Sequence, residues 1–167
     1  MSKMTTQELL LNQLPHYWEE NSKAAEKFFR LSVDDYECLK HYRSELHHNA
    51  RTLGRFFYLP TIDLKKIEGT TEEKVLECLI HADTASYFVS TLLIGIKTSL
   101  LKDEVLSQFQ WGLSPDVARW LKGVEPFHLV SYAFLGYIKF HPLVPFRNFT
   151  RNDQSTAYHR QMIALAA

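Results

Sequence analysis

The stretch LSVDDYECLK, residues 31–40, has a near copy in LSPDVARWLK, residues 113–122, which lies 113 − 31 = 82 positions further along the chain. Extending the comparison without gaps pairs residues 31–60 with residues 113–142. Eight of these thirty pairs are identical, where chance at average composition gives roughly two. Two unrelated helix starts explain part of the likeness, because Leu-Ser-x-Asp is a common helix N-terminus. We interpret the pattern as an internal repeat. The identical pairs are Leu31/Leu113, Ser32/Ser114, Asp34/Asp116, Leu39/Leu121, Lys40/Lys122, Leu53/Leu135, Gly54/Gly136 and Pro60/Pro142.

Each copy predicts the same order of elements: a helix, a short capped helix, a second short helix and an extended segment. Ser32 and Ser114 are the expected N-caps, and Pro115 stands at the first helical position, where proline fits best. Two short helices joined by a tight turn are typical of a helix-turn-helix-like lobe. We therefore predict an all-α fold with minor strand, in which two related lobes, a tandem repeat, pack through a central apolar helix.

That central helix is predicted from the most apolar stretch, YFVSTLLIGIKTSLL, residues 87–101. The stretch is shorter than a membrane span requires and contains Lys97, so we interpret it as a buried helix. The predicted organisation is an N-terminal lobe with the first copy over 1–66, the central helix and second copy over 67–145, and a C-terminal tail helix over 146–167.

Composition limits the classes of function. The net charge is +0 and the pI about 7.1, so the chain has no global basic field for nucleic acid. Cys38 and Cys78 stand alone, which argues against a zinc ribbon or a disulfide scaffold. The first twenty residues do not follow the pattern of a signal peptide. We expect a cytoplasmic protein with no membrane partner.

Little in the chain indicates catalysis. His47, His48, His81 and Asp83 lack the spacing of a metal-binding motif, and no nucleophile elbow, Walker loop or dinucleotide-binding glycine pattern is present. We expect no enzymatic activity, no catalytic residue, no metal and no cofactor.

The third helix of the first copy is basic. The segment KHYRSELHHNARTLGR, residues 40–55, has four Lys and Arg against one Glu. One face of such a helix presents cations and amides to a phosphate backbone and to groove edges. A solvated charged face without a ligand is the alternative. The candidate DNA-binding residues are Arg43, His47, Asn49, Arg51 and Arg55.

The equivalent helix of the second copy, PFHLVSYAFLG, is almost wholly apolar. It must be buried either in the core or against a partner. The candidate interface residues are Phe127, Val130, Phe134 and Ile138.

The second copy, residues 102–142, together with the apolar helix SYFVSTLLI before it, resembles FlhD, a subunit of the flagellar master regulator. The resemblance consists of an apolar helix, a charged linker, a phenylalanine before a Gly-Leu-Ser helix start, an alanine and leucine face, a second short helix and a strand-like end. The residues that match this layout are Asp103, Phe109, Gly112, Leu113, Ser114, Ala118, Leu121 and Phe140.

This resemblance implies a subunit that forms hetero-oligomers with an FlhC-like partner protein, binds DNA and activates transcription, for flagellar genes or for the transfer genes of conjugative elements. The chain departs from FlhC in having no four-cysteine zinc cluster, and it is longer than a typical FlhD by the N-terminal copy. An alternative of another class is an adaptor or anti-activator that binds a regulator and never touches DNA. The neutral pI favours the adaptor, and the basic helix favours DNA binding.

Overall fold

The computed structural model describes the backbone of residues 6–41 and 58–142, and the side chains of residues 12–41 and 59–141. These residues are mostly helical, with one small sheet, as the sequence predicts for an all-α fold with minor strand. The elements are α1 Thr6–Glu20, α2 Ser22–Phe29, α3 Val33–His41, β1 Tyr58–Ile62, α4 Leu64–Glu68, α5 Glu72–His81, α6 Thr84–Lys102, α7 Glu104–Trp111, α8 Pro115–Gly123, α9 Pro126–Phe134 and β2 Ile138–Pro142.

The chain forms two compact units, one of residues 1–59 with 141–167 and one of residues 60–140. In the first unit, α1 contacts both α2 and α3. In the second unit, α6 contacts α7, α8 and α9, and α9 also contacts α5. Strands β1 and β2 pair. They run antiparallel, because the amide of Asp63 after β1 donates to the carbonyl of Tyr137 before β2 at 3.0 Å.

Helix α6 supplies the core of the second unit. It is long and apolar enough to cross a membrane by length and composition, and 44% of its most apolar window is buried. A core helix of a soluble protein meets the same criterion. Lys97 is accommodated because its Nζ donates to the carbonyl of Val124 at 2.6 Å, at the C-terminal end of α8. The buried apolar residues of α6 are Ala85, Val89, Leu92, Leu93, Ile96 and Leu100.

The helix bounds follow the spacing of 82. Adding 82 to the bounds of α2 and α3 gives the bounds of α7 and α8. Asn21 and Asp103, also 82 apart, cap α2 and α7 by accepting backbone N–H bonds. Arg30 and Gly112 end the same helices in the left-handed conformation, with φ of 49° and 60°.

Four matching positions are buried in both helix pairs, but others differ: Ala24 and Phe28 are buried, whereas Leu106 and Gln110 are not. Each pair contacts the longer helix before it, α1 or α6. The third helix expected in the first copy falls on residues outside the described ranges, and Pro60 and Pro142 occupy different positions in their strands. The buried equivalents are Ala25/Ser107, Phe29/Trp111, Leu31/Leu113 and Leu39/Leu121.

Two helix boundaries are set by side-chain caps. Helix α1 continues through Pro15 to Glu20. The following break lies at Asn21, whose side chain starts a new helix. In the middle of the chain, Asp83 is the cap of a second such boundary. It accepts from the backbone N–H of Ser86 at 2.9 Å and separates α6 from α5.

Substitutions at two residues with left-handed backbone conformation, Arg30 and Gly112, should change the stability in opposite directions. Gly112→Ala should lower the free energy of unfolding by about 1–2 kcal/mol, because a Cβ is unfavourable at positive φ. Arg30→Gly should raise it by a few tenths to about 1 kcal/mol for the same reason. Chemical denaturation of the two variants measures both changes. If both variants were more stable than wild type, or both less stable, the two turns would not be equivalent.

A second stability prediction concerns acid pH. Lys122 Nζ donates to Glu104 Oε2 at 2.6 Å and joins α8 to α7. This hydrogen bond is the main cause of the lowered pKa of Glu104. A carboxyl whose pKa is lower in the folded chain contributes its full stability above its unfolded pKa, and the contribution is lost as the pH falls through the folded pKa.

We therefore expect Glu104→Gln to reduce the drop in melting temperature between neutral pH and a pH of about 3. Glu73→Gln, at an exposed glutamate of α5, is the control and should leave the drop unchanged. Thermal melts over this pH range check both, and an unchanged acid response of Glu104→Gln would refute the assignment.

Candidate functional site

Helix α9 is fixed to α5 at two points. The hydroxyl of Ser131 donates to the buried carbonyl of Val75 at 2.7 Å. One turn earlier, His128 Nε2 lies 3.1 and 3.2 Å from the two carboxylate oxygens of Glu72. Since a carboxylate only accepts, Nε2 carries the proton and donates. These bonds hold α9 in one position against the rest of the second unit.

An apolar groove of about 390 Å³ lies between α9, α6 and α5. Phe127 forms part of its wall and is placed by its ring contact with the anchored His128, at 4.2 Å between centroids. The hydroxyl of Ser90, on the groove side of α6, faces the carbonyl of Pro126 at 3.5 Å. The groove is lined by Leu79, Tyr87, Ser90, Thr91, Ile94, Pro126, Phe127 and Val130.

The groove is continuous with an exposed stripe on α6, formed by Tyr87, Thr91, Ile94, Thr98 and Leu101, which we call the outer stripe. The steps between these residues are 4, 3, 4 and 3, the spacing that places side chains along one seam of a helix. Tyr87 is 49% exposed and Leu101 64% exposed. The sequence-based interpretation of this segment as simply buried missed the stripe, although its spacing was visible in the sequence.

Both threonines of the outer stripe behave as apolar residues. The Thr91 hydroxyl donates to the carbonyl of Tyr87 at 2.9 Å, and the Thr98 hydroxyl donates to that of Ile94 at 2.8 Å. Each hydroxyl is thereby satisfied within its own helix, and the methyl group is left for contact with a partner. The stripe therefore offers a partner almost no unmet hydrogen-bonding group.

The second unit exposes many apolar side chains. Between residues 60 and 140, nine large apolar residues are exposed. A groove of this kind, bordered by a seam at heptad spacing, suits an amphipathic helix of another protein. The nine are Leu76, Ile80, Tyr87, Ile94, Leu101, Val105, Leu106, Phe109 and Phe127.

The four residues predicted for the interface occupy different environments. Phe127 is exposed in the groove, and Val130 lies at its floor with 5% exposure. Phe134 is half-buried, and Ile138 is fully buried in the core. Among the four, Phe127 is the one with an exposed side chain.

The residues predicted to contact DNA, Arg43, His47, Asn49, Arg51 and Arg55, lie outside the described residues. Charge still distinguishes the parts of the chain. Residues 60–140 contain eight Lys and Arg and ten Asp and Glu, a net 8 − 10 = −2. The rest therefore contains 19 − 8 = 11 basic and 19 − 10 = 9 acidic residues, a net +2. The apolar surface thus belongs to the acidic part of the chain.

Within the described ranges, no group of three or more His, Cys, Asp or Glu side chains is arranged to hold a metal ion. Of the candidates considered from sequence, His81 is exposed at the end of α5, and Asp83 serves as the cap of α6. Cys38 and Cys78 are free cysteines.

Comparison with known proteins gives no match: no protein-family model, no curated protein and no solved structure is similar to this chain.

The groove predicts association. Tyr87→Lys with Ile94→Lys places two charges on the exposed stripe and should convert an assembly into a species of the 19.5 kDa chain mass. Because both positions are exposed, the free energy of unfolding should change by no more than about 0.5 kcal/mol for each substitution. Val130→Ala, at the floor, should instead cost about 2 kcal/mol.

Light scattering and denaturation measure these outcomes, for the chain alone and with a co-expressed FlhC-like partner. Glu73→Lys, an exposed position on α5 outside the groove, is the control for added charge. A wild-type chain that stays monomeric at micromolar concentration, with or without that partner, would contradict the prediction.

Proposed function

We propose that the protein is an FlhD-like, DNA-binding transcriptional activator subunit that acts in a hetero-oligomer. Its targets would be genes for conjugative transfer or flagella, and its place of action the cytoplasm. It would act by binding and not by catalysis. The FlhC-like partner would occupy the apolar groove with a helix, and DNA would be contacted by the basic segment of the first copy.

The observation that carries the proposal is the exposed groove with the outer stripe of α6. The threonine hydroxyls of the stripe are satisfied within their own helix, so the stripe is apolar. Exposed apolar surface is unfavourable in water, and a protein partner that covers it removes this unfavourable free energy. A subunit of a hetero-oligomeric activator requires a permanent protein partner. Phe127 and Val130 supply one wall of this groove, in the helix that the resemblance to FlhD includes.

The proposal includes a tandem architecture. The pairs α2–α3 and α7–α8 share their length, their turn and the positions of their caps, at the spacing of 82. We take them as two copies of one helix-turn-helix-like unit, related lobes of a single chain. The second copy would serve the partner, since its surface is apolar and acidic.

The first copy would serve DNA. Residues 42–57 contain Arg43, Arg51 and Arg55 against the single acid Glu45, so the segment has a local net charge of 3 − 1 = +2. A local cationic segment is sufficient for a modest phosphate-dominated affinity, even in a chain with no net charge. His47 and Asn49 add hydrogen-bonding groups for base edges.

The adaptor, which binds a regulator and never DNA, is supported by a different observation. The unit that carries the exposed groove has a net charge of −2, and such a surface repels phosphate. An adaptor needs only this unit. The two proposals therefore differ in whether the basic segment contacts DNA.

A salt titration separates them. Each phosphate contact contributes about 0.9 to the slope of log affinity against log salt. If Arg51 and Arg55 both touch phosphate, Arg51→Ala with Arg55→Ala should lower the magnitude of the slope by about two. The measurement is fluorescence anisotropy on the native promoter, with the FlhC-like partner present, at several salt concentrations.

Arg147→Ala with Arg151→Ala is the matched control, because it removes two arginines from another part of the chain. Loss of binding in this variant alone would move the DNA contact to residues 143–167. Absence of DNA binding by the wild-type complex would favour the adaptor.

A further inference from the structure

A second cavity, of about 630 Å³, lies on the other side of α9 and shares no lining residue with the apolar groove. Three rings form part of its wall: Trp120, His128 and Tyr132. The centroid of Tyr132 lies 6.1 Å from that of Trp120 and 6.0 Å from that of His128. We call this space the aromatic cavity.

Negative charge surrounds these rings. Glu68, Asp116 and Glu125 line the cavity, together with one cation, Arg119. The guanidinium of Arg119 lies 3.4 Å from Asp116, so its charge is already offset. Glu68 and Glu125 are exposed at the rim. A negatively charged rim above aromatic faces attracts a cation and repels an anion.

The hydroxyl of Tyr132 is open to solvent at the cavity. The residue as a whole is only 8% exposed, but its oxygen is not among the buried polar atoms that lack a partner. The structure gives this hydroxyl no hydrogen bond within the described residues, so it is available to a ligand. Burial, and then the negative charge of Glu72, raises the pKa of Tyr132, so the group stays a neutral phenol that can accept an N–H.

We propose that the aromatic cavity binds the guanidinium group of an arginine side chain presented by a partner protein. The planar guanidinium stacks on the Trp120 face, donates to the Tyr132 hydroxyl and faces the carboxylates of the rim. Arginine suits the site better than lysine, because its fixed fork of N–H groups serves several acceptors while its plane covers a ring.

Arginine binding in the aromatic cavity depends neither on DNA binding nor on a partner in the apolar groove. It concerns a separate surface of the same unit, although a protein that crosses α9 would contact both. Its failure would leave the proposed function in place, and failure of DNA binding would leave the arginine site in place.

The test uses Nα-acetyl-arginine methylamide as the probe and its neutral isostere, Nα-acetyl-citrulline methylamide, as the control. The intact ¹⁵N-labelled chain is titrated by NMR, and the indole N–H signals of Trp18, Trp111 and Trp120 are followed. Trp120→Phe assigns the third signal. We expect the arginine probe to shift the Trp120 signal saturably, with the other two unmoved, and citrulline to leave all three in place.

Variants of the cavity report on the geometry. Tyr132→Phe should weaken binding of the arginine probe about 2- to 10-fold while the chain stays folded. Glu68→Gln and Glu125→Gln should each weaken it about 1.5- to 5-fold, and more at low salt. Glu73→Gln, an exposed glutamate that does not line the cavity, should bind the probe as wild type does.

Gly123 allows the space itself to be filled. It lines the cavity, and a Cβ at this position would meet no atom within 4 Å, so Gly123→Leu fills the space without removing any wall residue. This variant should weaken binding at least tenfold with an unchanged melting temperature.

Four results would overturn the proposal. They are no saturable shift of Trp120, equal binding of citrulline, tighter binding of the corresponding lysine probe, or normal binding to a folded Gly123→Leu chain.

Discussion

The burial of one face of α6 is the constraint on which the second unit depends. Five large aliphatic side chains of this helix, Val89, Leu92, Leu93, Ile96 and Leu100, are at most 3% exposed and together contribute roughly 10 kcal/mol of transfer free energy. Three other helices, α7, α8 and α9, cover that face. The face is fully used by the unit itself, so the opposite face is left to solvent or to a partner.

The same constraint fixes the environment of charged and polar groups on α6. Lys97 lies beside the buried face and is tolerated because its Nζ reaches the carbonyl of Val124, at the negative end of α8. Thr91 and Thr98 lie on the opposite face and turn their hydroxyls back to their own helix. Consequently both faces of α6 are apolar. The inner face is covered by helices of the same unit, whereas the outer stripe is exposed.

Local chemistry explains why much of the helical pattern was predictable from the sequence. The caps Ser32 and Ser114 were predicted and are confirmed, because each rests on a bond to the amide three residues further on. Asn21 and Asp83 are caps of the same kind, but both stand within continuous helical patterns that concealed them. The class of fold and these two helix starts were therefore predictable from the sequence.

The candidate sites were less predictable because they depend on contacts distant in sequence. The bonds from His128 to Glu72 and from Ser131 to Val75 each cross 56 positions, and no periodicity indicates them. The apolar content of α9 predicted that Phe127 and Val130 lie either in the core or at an interface. Only the packing of the folded chain shows that Phe127 is exposed and Val130 is buried.

The two faces of α9 line different spaces. Residues 126, 127 and 130 face the apolar groove, and residues 125, 128 and 132 face the aromatic cavity. His128 links the two surfaces, since its ring contacts Phe127 on one side and Tyr132 on the other while Glu72 holds its Nε2. The same anchored imidazole therefore supports one wall of the groove and one wall of the cavity.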